Sequence, residues 1–408
     1  MTKQKNANKK AGPDIDLAIV GGAGHVGLPL ALSFVDKGLT VLIQDINKEV
    51  LEIIAEGRMP WIDQGCDVLL ASGLASGRLH LASDPQAIDG AGKVIVTVGT
   101  PVDEFLNPDH KAFRSYIDGI ALYLQNSNLM ILRSTVFPGT TDWLYGYLQE
   151  QGMDLPVAYC PERVVQGLAL EELRSVPQII SGTTSQAVEE AASLFTMLAP
   201  SVVYTMPKEA EFAKLFANAY RYIQFATANQ FYMIATSAGL DYHNIHKAIT
   251  QDYPRASGLP RAGFAAGPCL FKDTMQLAAF ANNQFSLGHD AMLINEGLVL
   301  FLIEQVQNQY NLGELTVGLL GMAFKADIDD TRASLSYKLK NMLTVRARKV
   351  LTTDPYVKDD PGLINLDQVI AQSDLLFLCV PHSQYKDLIV GETPVIDVWG
   401  FLADHETD

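Results

Sequence analysis

Short apolar runs alternate along the chain with longer stretches whose apolar residues recur at helical spacing. Residues 16–20 form the first run and lead into a glycine-rich loop, residues 28–35 predict a helix, and residues 39–44 predict a second strand. Further buried strands are predicted at residues 94–98, 129–132, 157–160 and 178–181. This alternation is typical of a mostly parallel sheet that helices cover on both faces.

A different pattern begins near residue 208. Residues 208–240 contain no proline and only one glycine, Gly239, and their apolar positions predict one long helix. More helix is predicted over residues 275–309, followed by strands at 315–321, 349–352, 375–379 and 395–398. We therefore expect an α/β fold, with two Rossmann-like parallel-sheet domains joined by a long-helix central domain. The expected boundaries are a disordered tail at residues 1–14, sheet domains at 15–206 and 311–408, and the helical domain at 207–310.

Length and charge narrow the function classes. A chain of 408 residues is too long for one ordinary core, and a formal net charge of −16 argues against nucleic acid as the main partner. No run of about 18 apolar residues occurs, and residues 1–14 lack the apolar segment of a signal peptide. We expect a cytoplasmic protein without a membrane partner. The four cysteines form no C-x-x-C pair, which predicts neither a metal site nor a disulfide framework.

The loop after the first strand reads Gly22-Ala23-Gly24-His25-Val26-Gly27. Gly22 is expected to permit the tight turn, Gly24 to let the backbone approach a diphosphate, and Gly27 to let helix and strand pack closely. Asp45, at the end of the second strand, should accept hydrogen bonds from the adenosine ribose and would repel a 2′-phosphate, so NAD is favoured over NADP. The alternative is a structural turn in a nucleotide-free α/β domain.

Three later loops follow predicted strands, at the edge where open α/β sheets bind ligands. Thr100 and Pro101 lie in the first and Thr135 in the second, and their donors are expected to hold the cofactor or a water. Thr-Pro and Pro-Gly are also ordinary loop sequences, which is the alternative. In the third loop, Glu162 is a candidate general base, with an exposed structural glutamate as the alternative.

Cys269 lies in the segment Gly267-Pro268-Cys269-Leu270-Phe271-Lys272-Asp273. A thiol combined with a nicotinamide site suggests that an oxidised intermediate is held covalently, so that an alcohol is taken to a carboxylic acid. An isolated cysteine is most often a small buried apolar residue. The lysine and aspartate that follow directly favour the catalytic interpretation.

Six motifs occur in one order along the chain. They are Val26-Gly27-Leu28-Pro29-Leu30-Ala31 after the first glycines, Thr100-Pro101-Val102-Asp103, Ser134-Thr135-Val136-x-Pro138-Gly139-Thr140-Thr141, Cys160-Pro161-Glu162-Arg163, Gly267-Pro268-Cys269-x-x-Lys272-Asp273 and Phe324-Lys325-x-x-x-Asp329-Asp330-x-Arg332. Together they resemble the UDP-glucose/GDP-mannose dehydrogenase family, and the resemblance continues to about residue 400.

The resemblance implies an enzyme that oxidises a nucleotide-sugar C6 alcohol to a uronic acid with two NAD molecules in succession. In that scheme the Cys269 thiolate adds to an aldehyde, the thiohemiacetal is oxidised to a thioester, and water hydrolyses the thioester. Lys272 or Lys214 would help populate the thiolate. The resemblance also implies an N-terminal NAD domain, a homodimer formed through the central helix, and a C-terminal domain that binds the UDP-sugar.

The resemblance further implies roles for single residues. Lys214 and Asn218, four residues apart on the long helix, would stabilise the developing oxyanion, Asp273 and Thr135 would hold the attacking water, and Glu162 would be the base. The implied cofactor contacts, besides the glycines and Asp45, are His25, Val26, Thr100, Pro101, Thr135, Lys272 and Arg332. The implied substrate contacts are Glu162, Arg163, Lys214, Asn218, Gly267, Lys325 and, from a neighbouring subunit, Arg255.

The chain departs from the family pattern at Ala265-Ala266, where glycines are usual and two methyl groups could narrow the approach to the sugar. Arg163 and Gln166 resemble the N-acetylamino-sugar dehydrogenases, whereas the segment around Cys269 looks closer to the glucose enzymes. UDP-N-acetylhexosamine is therefore favoured slightly over UDP-glucose. Two other functions stay open: a two-electron β-hydroxyacid-type dehydrogenase with Cys269 as a bystander, and a catalytically silent nucleotide-binding homologue.

Overall fold

The structure is a computed structural model that describes residues 14–99 and 109–402. It divides into two compact units, Met1–Lys214 and Leu215–Asp408. Thr100 and Pro101, which the sequence predicts as cofactor contacts, lie outside the described residues.

The first unit is built on an eight-stranded sheet. Its strands are β1 (Leu17–Val20), β2 (Val41–Gln44), β3 (Leu79–Ala82), β4 (Lys93–Val96), β5 (Leu129–Leu132), β6 (Val157–Tyr159), β7 (Gln178–Gly182) and β8 (Val202–Tyr204). They lie in the order β3-β2-β1-β4-β5-β6-β7-β8. Strands β1 to β6 are parallel, as the sequence predicts, but β7 is antiparallel to β6 and β8 runs parallel to β7.

Helices connect these strands. They are α1 (Gly27–Asp36), α2 (Lys48–Ala55), α3 (Cys66–Ala75), α4 (His110–Ala121), α5 (Thr140–Glu150), α6 (Ala169–Ser175) and α7 (Ser185–Phe195). Side chains cap several of their N-termini; Asn47, for example, accepts the N–H of Val50 at the start of α2. By contrast, α1 has no side-chain cap, an arrangement that suits the binding of an anion.

The first sheet buries both of its faces because its strands are continuous apolar runs. In β1, Leu17 and Ile19 pack into one apolar layer, and Ala18 and Val20 pack into the layer on the opposite face. Phe34 of α1 belongs to the same layer as Ile19. The sheet edge that carries the glycine loop is therefore held by two apolar layers.

Helix α8 (Pro207–Ser237) begins in the first unit and continues into the second. The helices that follow it are α9 (Tyr242–Thr250), α10 (Leu270–Phe280) and α11 (Ser286–Gln307). The sequence predicts helix over residues 275–309, and the structure divides that range between α10 and α11. Asn282 and Asn283 have φ angles of 51° and 59°, and this left-handed backbone ends α10 before α11 begins.

The second unit contains a four-stranded sheet. Its strands are β9 (Thr316–Leu320), β10 (Lys349–Thr353), β11 (Leu375–Leu378) and β12 (Val395–Ile396), and its helices are α12 (Leu335–Thr344) and α13 (Leu366–Gln372). The order is β10-β9-β11-β12, and all pairs are parallel. The predicted fold class, two Rossmann-like sheets and a long central helix, is confirmed.

Among the described residues, α11 is the one helix long and apolar enough to cross a membrane by length and composition alone. Its residues Leu298, Leu302, Ile303 and Val306 are buried in the apolar core that also contains Leu319 of β9. This face of α11 therefore packs into the apolar core of the second unit.

Candidate active site

The glycine loop lies at the carboxyl end of β1, where the strand order reverses between β1 and β4. The sequence assigns the tight turn to Gly22, and the turn also uses Gly21, which has the left-handed φ of 72°. A Cβ on Gly22 would lie 2.6 Å from the carbonyl oxygen of Ile19, and one on Gly27 would lie 2.5 Å from Cα of Gly22. Neither position admits a side chain because the backbones approach so closely.

Gly24 lies in less crowded surroundings than Gly22 and Gly27. A Cβ on it would come no closer than 3.5 Å to any described residue outside its immediate neighbours. Asp45 directly follows β2, and its two carboxylate oxygens each accept a backbone N–H at 3.0 Å, one from Ala23 of the loop and one from Asn47. The open backbone at Gly24, the uncapped start of α1 and the fixed carboxylate together fit the diphosphate and ribose of a dinucleotide.

His25 and Val26 complete the loop. Val26 is the N-terminal boundary of α1, and the ring of His25 lies 4.1 Å from that of Trp61, tilted by 43°. Trp61 belongs to the segment between α2 and α3, and nothing in the sequence predicts this contact. An aromatic ring therefore packs against the candidate diphosphate loop.

The loop after β5 is held by Glu211 of α8. The fully buried Glu211 carboxylate accepts the N–H of Gly139 at 2.5 Å and the N–H and hydroxyl of Thr141 at 2.8 and 2.6 Å. Burial raises the pKa of Glu211, although these hydrogen bonds act in the opposite direction. Thr135 is half-buried in the same loop. The start of α8 thus fixes the loop that carries Thr135.

Glu162 is buried, and both of its carboxylate oxygens are engaged. Oε2 receives Nε and Nη2 of Arg133 at 2.8 and 2.5 Å, and Oε1 receives the N–H groups of Arg163 and Val164 at 2.7 and 2.9 Å. Arg133 is 1% exposed, and its Nη1 donates to Gln178 at 3.0 Å. A carboxylate that receives four donors is better suited to anchor its loop than to act as the general base that the sequence predicts.

The face of α8 that carries Lys214 and Asn218 leads to Asp273 of α10. Asn218 donates from Nδ2 to Oδ2 of Asp273 at 2.6 Å, and the two residues are 7% and 1% exposed. Nζ of Lys272 lies 3.7 Å from the other oxygen of Asp273. Lys214, one turn before Asn218, is half-buried. Asn218, Asp273 and Lys272 therefore form a connected group.

Cys269 is exposed and precedes the first residue of α10, whereas the other cysteines are buried. Burial, followed by the charges of Asp63 and Asp67, raises the pKa of Cys66 to about 12. Burial likewise raises the pKa of Cys160 to about 12 and that of Cys379 still further. Cys269 is the cysteine whose environment suits reaction with a ligand.

The turn before Cys269 packs beneath Phe324. Gly267 has a φ of 101°, and a Cβ on it would lie 2.7 Å from the Phe324 ring. Ala265 is 5% exposed, and it and Ala266 belong to apolar core clusters. Their methyl groups are therefore used in packing, which weakens the expectation that they narrow the approach to the sugar.

Arg332 is held by Asp330. Its Nε lies 3.0 Å from both carboxylate oxygens, and its Nη2 lies 2.6 Å from Oδ2. The hydrogen bonds and charge of Asp330, with a smaller effect of Cys269, raise the pKa of Arg332. Lys325 is half-buried in the same loop. The loop after β9 thus brings Arg332 near enough to Cys269 for their charges to interact, and the same loop carries Lys325.

Two other predicted residues, Arg255 and Arg163, have local contacts of their own. Arg255 is exposed, with its guanidinium 5.3 Å from the Tyr253 ring. The Arg163 guanidinium donates to the carbonyl of Pro177, and burial lowers the pKa of Arg163. Within residues 14–99 and 109–402, no group of three or more side chains could hold a metal ion.

Comparison with known families covers most of the chain. Residues 16–199 match the NAD binding domain of the UDP-glucose/GDP-mannose dehydrogenase family, residues 208–297 match its central domain, and residues 318–404 match its UDP binding domain.

Known proteins match over nearly the full length. A UDP-N-acetyl-D-mannosamine dehydrogenase of Methanocaldococcus jannaschii is 30% identical over 374 residues, which cover 90% of this chain and 86% of the relative. An NDP-N-acetyl-D-galactosaminuronic acid dehydrogenase of Ralstonia nicotianae is 27% identical, with coverages of 92% and 93%. The solved UDP-D-ManNAc dehydrogenase of Pyrococcus horikoshii superposes with a TM-score of 0.85 at 28% identity, covering 93% of this chain and 94% of that one. With all three domains matched, the chain belongs to the UDP-glucose/GDP-mannose dehydrogenase family of NAD-dependent nucleotide-sugar dehydrogenases.

Proposed function

We propose that the protein oxidises the C6 alcohol of a UDP-N-acetylhexosamine to the uronate, with Cys269 as the nucleophile. The observation that carries the cysteine step is the exposed position of Cys269 at the N-terminus of α10. Amides and the dipole at a helix N-terminus stabilise negative charge, so this position favours the thiolate. Asp273 lies one turn further, its N–H bonded to the carbonyl of Cys269 at 2.9 Å.

An N-acetylated sugar is supported by the names of the relatives, which act on N-acetylmannosamine and N-acetylgalactosaminuronic acid nucleotides. Arg163 and Gln166, which resemble the N-acetylamino-sugar enzymes, support the same choice. The match to a UDP binding domain supports uridine diphosphate as the nucleotide. UDP-glucose is the second candidate, favoured by the segment around Cys269.

The proposed reaction balances as follows: R–CH₂OH, two NAD⁺ and water give R–COO⁻, two NADH and three protons. When bound, NAD supplies the hydride acceptor for both oxidations. The Cys269 thiolate adds to the aldehyde carbon, forming a C–S bond and an alkoxide. The second oxidation leaves a thioester, water then adds to its carbonyl carbon, and the C–S bond breaks to return the thiolate.

Lys214 and Asn218 would stabilise the alkoxide. They lie one turn apart on α8, so an ammonium and an amide are presented on one side of the helix. One N–H of Asn218 is used by Asp273, which leaves its second N–H for the substrate oxygen. A donor of this kind contributes roughly 3 kcal/mol to transition-state stabilisation.

In the hydrolytic step we infer that Asp273 takes the proton of the attacking water. Oδ1 of Asp273 accepts no hydrogen bond from the described residues, although Nζ of Lys272 lies 3.7 Å away. An unoccupied carboxylate lone pair one turn from the thiol is what this step needs. Glu162, whose oxygens receive four donors, instead fixes the backbone of Arg163.

A homodimer formed through α8 is supported by an apolar stripe on that helix. The stripe consists of Phe216, Tyr220, Phe231 and Ile234, which are 55%, 63%, 44% and 59% exposed. Their separations of 4, 11 and 3 residues place them along one side of α8. Large exposed apolar surfaces are typical of protein interfaces. In such a dimer, Arg255 would serve the substrate of the neighbouring subunit.

The test is the ratio of NADH formed to sugar consumed, measured with UDP-N-acetylmannosamine, UDP-N-acetylgalactosamine and UDP-glucose for the wild type and Cys269→Ser. We expect two NADH per N-acetylhexosamine in the wild type and no uronate from the variant. One NADH per sugar, unchanged by the substitution, would contradict the four-electron proposal and support a two-electron dehydrogenase. Binding of UDP without turnover of any sugar would support a silent homologue.

A further inference from the structure

A buried histidine joins the carboxyl ends of three strands in the second sheet. His382 follows β11 and is 0% exposed, with the rings of Tyr356 and Tyr385 5.1 and 5.5 Å away. Asp354 follows β10, and its side chain is also 0% exposed. Asp327 belongs to the loop that follows β9. A polar side chain buried this completely requires partners for both of its ring nitrogens.

The partners fix the tautomer of His382. The backbone N–H of Asp327 lies 2.9 Å from Nδ1, and because an N–H can only donate, Nδ1 carries the lone pair. The proton is therefore on Nε2, which lies 3.1 Å from Oδ2 of Asp354. The same oxygen accepts the N–H groups of Met322 and Ala323 at 2.6 and 3.0 Å. Asp354 therefore holds the loop after β9 at its beginning, at Met322 and Ala323, and His382 holds it in its middle, at Asp327.

His382 holds the loop at Asp327, a residue with left-handed backbone. Asp327 has a φ of 59°, a conformation that residues other than glycine seldom adopt. Its Oδ1 accepts the N–H and hydroxyl of Ser383 at 2.8 and 2.9 Å and the hydroxyl of Tyr356 at 3.2 Å. Strained backbone persists where several contacts determine it at once.

This loop carries the cations of the candidate site. Lys325 lies two residues before Asp327, and Arg332 five residues after it. The N–H of Phe324 bonds to the carbonyl of Asp330 at 2.9 Å, which closes the loop on itself. A change in the backbone at Asp327 would therefore move Lys325 directly.

We infer that His382 is a positioning residue for the nucleotide sugar: its Nδ1 holds the loop of residues 324–332 in the conformation in which Lys325 meets the substrate. The ligand class rests on the proposed function. Nδ1 matters more than Nε2, because Nδ1 holds the left-handed residue of the loop, whereas Asp354 retains the N–H groups of Met322 and Ala323 without Nε2.

Two substitutions separate the ring nitrogens. In His382→Asn, the amide oxygen can occupy the place of Nδ1 and accept from Asp327, whereas in His382→Gln the amide nitrogen can occupy the place of Nε2 and donate to Asp354. Hydrogen exchange of residues 324–332 in the full chain without ligand is measured first. We expect faster exchange in the Gln variant and exchange close to wild type in the Asn variant. Equal exchange in the two variants would overturn the inference.

Calorimetric titration with UDP gives the functional readout. The Gln variant should bind UDP about fivefold or more weakly, in the direction of Lys325→Ala, whereas the Asn variant should stay within about threefold of wild type. NAD affinity and melting temperature, measured on the same samples, separate a local effect from unfolding. Equal weakening of UDP binding by Asn and Gln would contradict the Nδ1 role.

Different results would contradict the nucleotide-sugar function and the anchoring role of His382. If the wild type binds no UDP, the proposed nucleotide-sugar function fails, and with it the ligand named here. The exchange difference between the two variants needs no ligand, so it still decides whether His382 anchors the loop. If UDP binds and the exchange of residues 324–332 does not respond to either variant, the anchoring role alone is wrong.

Discussion

The amide of Asn218 donates to the carboxylate of Asp273 across 2.6 Å, and both side chains are almost entirely buried. The bond links α8 to α10, so the candidate oxyanion donor and the candidate base are set by one contact. Because one oxygen of Asp273 is used by Asn218, the orientation of the other oxygen is fixed. The contact with Asn218 therefore orients the side chain of Asp273, which lies one helical turn from Cys269 on α10.

Replacing Asp273 with Asn should slow hydrolysis more than it slows the oxidations. Loss of a positioned base lowers a rate by about 10²–10⁴-fold, so we expect a burst of NADH, a low steady-state rate and a covalent adduct on Cys269. Stopped-flow absorbance and intact-protein mass spectrometry measure these. Asp290→Asn, an exposed carboxylate of α11, is the control. Steady-state turnover within a few-fold of wild type would remove Asp273 from the proposal.

Alkylation should be selective for Cys269. Burial raises the pKa of Cys66 and Cys160 to about 12, so at pH 8 these thiols are protonated as well as inaccessible, and Cys379 is buried in the same way. We expect iodoacetamide to label Cys269 first, with loss of activity in parallel. Peptide mass spectrometry gives the site, and Cys269→Ser should remove the fast phase. Equal labelling of Cys160 in the folded protein would contradict the burial on which this rests.

The ion pair of Arg133 and Glu162 should matter for stability. Removing one partner of a buried pair costs about 3–5 kcal/mol because the other charge is left uncompensated. We therefore expect Arg133→Met to lower the free energy of unfolding by that amount, and the double variant with Glu162→Gln to recover part of it. Urea denaturation of the two single variants and the double variant measures the coupling. Additive losses would mean that the pair does not act as a unit.

If the stripe on α8 forms the dimer, a charge within it should dissociate the protein. Ile234→Glu would bury a carboxylate without a partner, so we expect a monomer at micromolar concentration. Leu300→Glu on α11 introduces the same charge at a side chain that is 41% exposed and should leave the assembly unchanged. Light scattering coupled to gel filtration gives the mass. A dimer that survives Ile234→Glu would place the interface elsewhere.

The predictable part of the fold is the set of continuous apolar runs that bury both faces of a strand. The sequence does not predict β3 or β8, for two physical reasons. In β3, His80 interrupts the apolar pattern. Strand β8 is an edge strand in which Val203 and Tyr204 are 50% and 59% exposed. Because its side chains are not buried, its sequence carries no pattern of buried apolar positions.

In the candidate site, too, some contacts can be predicted from the sequence and others cannot. The proximity of residues that share a motif, such as Cys269 and Asp273, can be predicted because a helix fixes their spacing. The contact of Asn218 with Asp273 spans 55 positions, and that of Arg133 with Glu162 spans 29. Such pairs depend on how distant elements pack, for which one sequence carries no periodic signal. The sequence therefore offers Glu162 as a candidate base or a structural glutamate, and only the structure shows the donors that its carboxylate accepts.

Acid should destabilise the second sheet through Asp354. Burial alone would raise the pKa of this carboxyl, but hydrogen bonds from His382 and from the N–H groups of Val357 and Met322 lower it to about 2. A folded-state pKa below the unfolded value of about 3.9 means that the carboxylate stabilises the fold by about 2.5 kcal/mol above pH 5. That contribution is lost as the pH falls from about 4 toward 2.

Asp354→Asn tests this prediction because an amide does not titrate in this range. The free energy of unfolding of the variant should be lower than that of wild type at pH 6, and the difference should narrow below pH 4 as the wild-type carboxyl takes up its proton. Urea denaturation at pH 6, 4.5, 3.5 and 3 follows the change. Asp290→Asn, an exposed carboxylate, should give a difference close to zero throughout. A constant gap between wild type and Asp354→Asn would mean that shape and hydrogen bonding, rather than charge, hold the ends of β9 and β10 together.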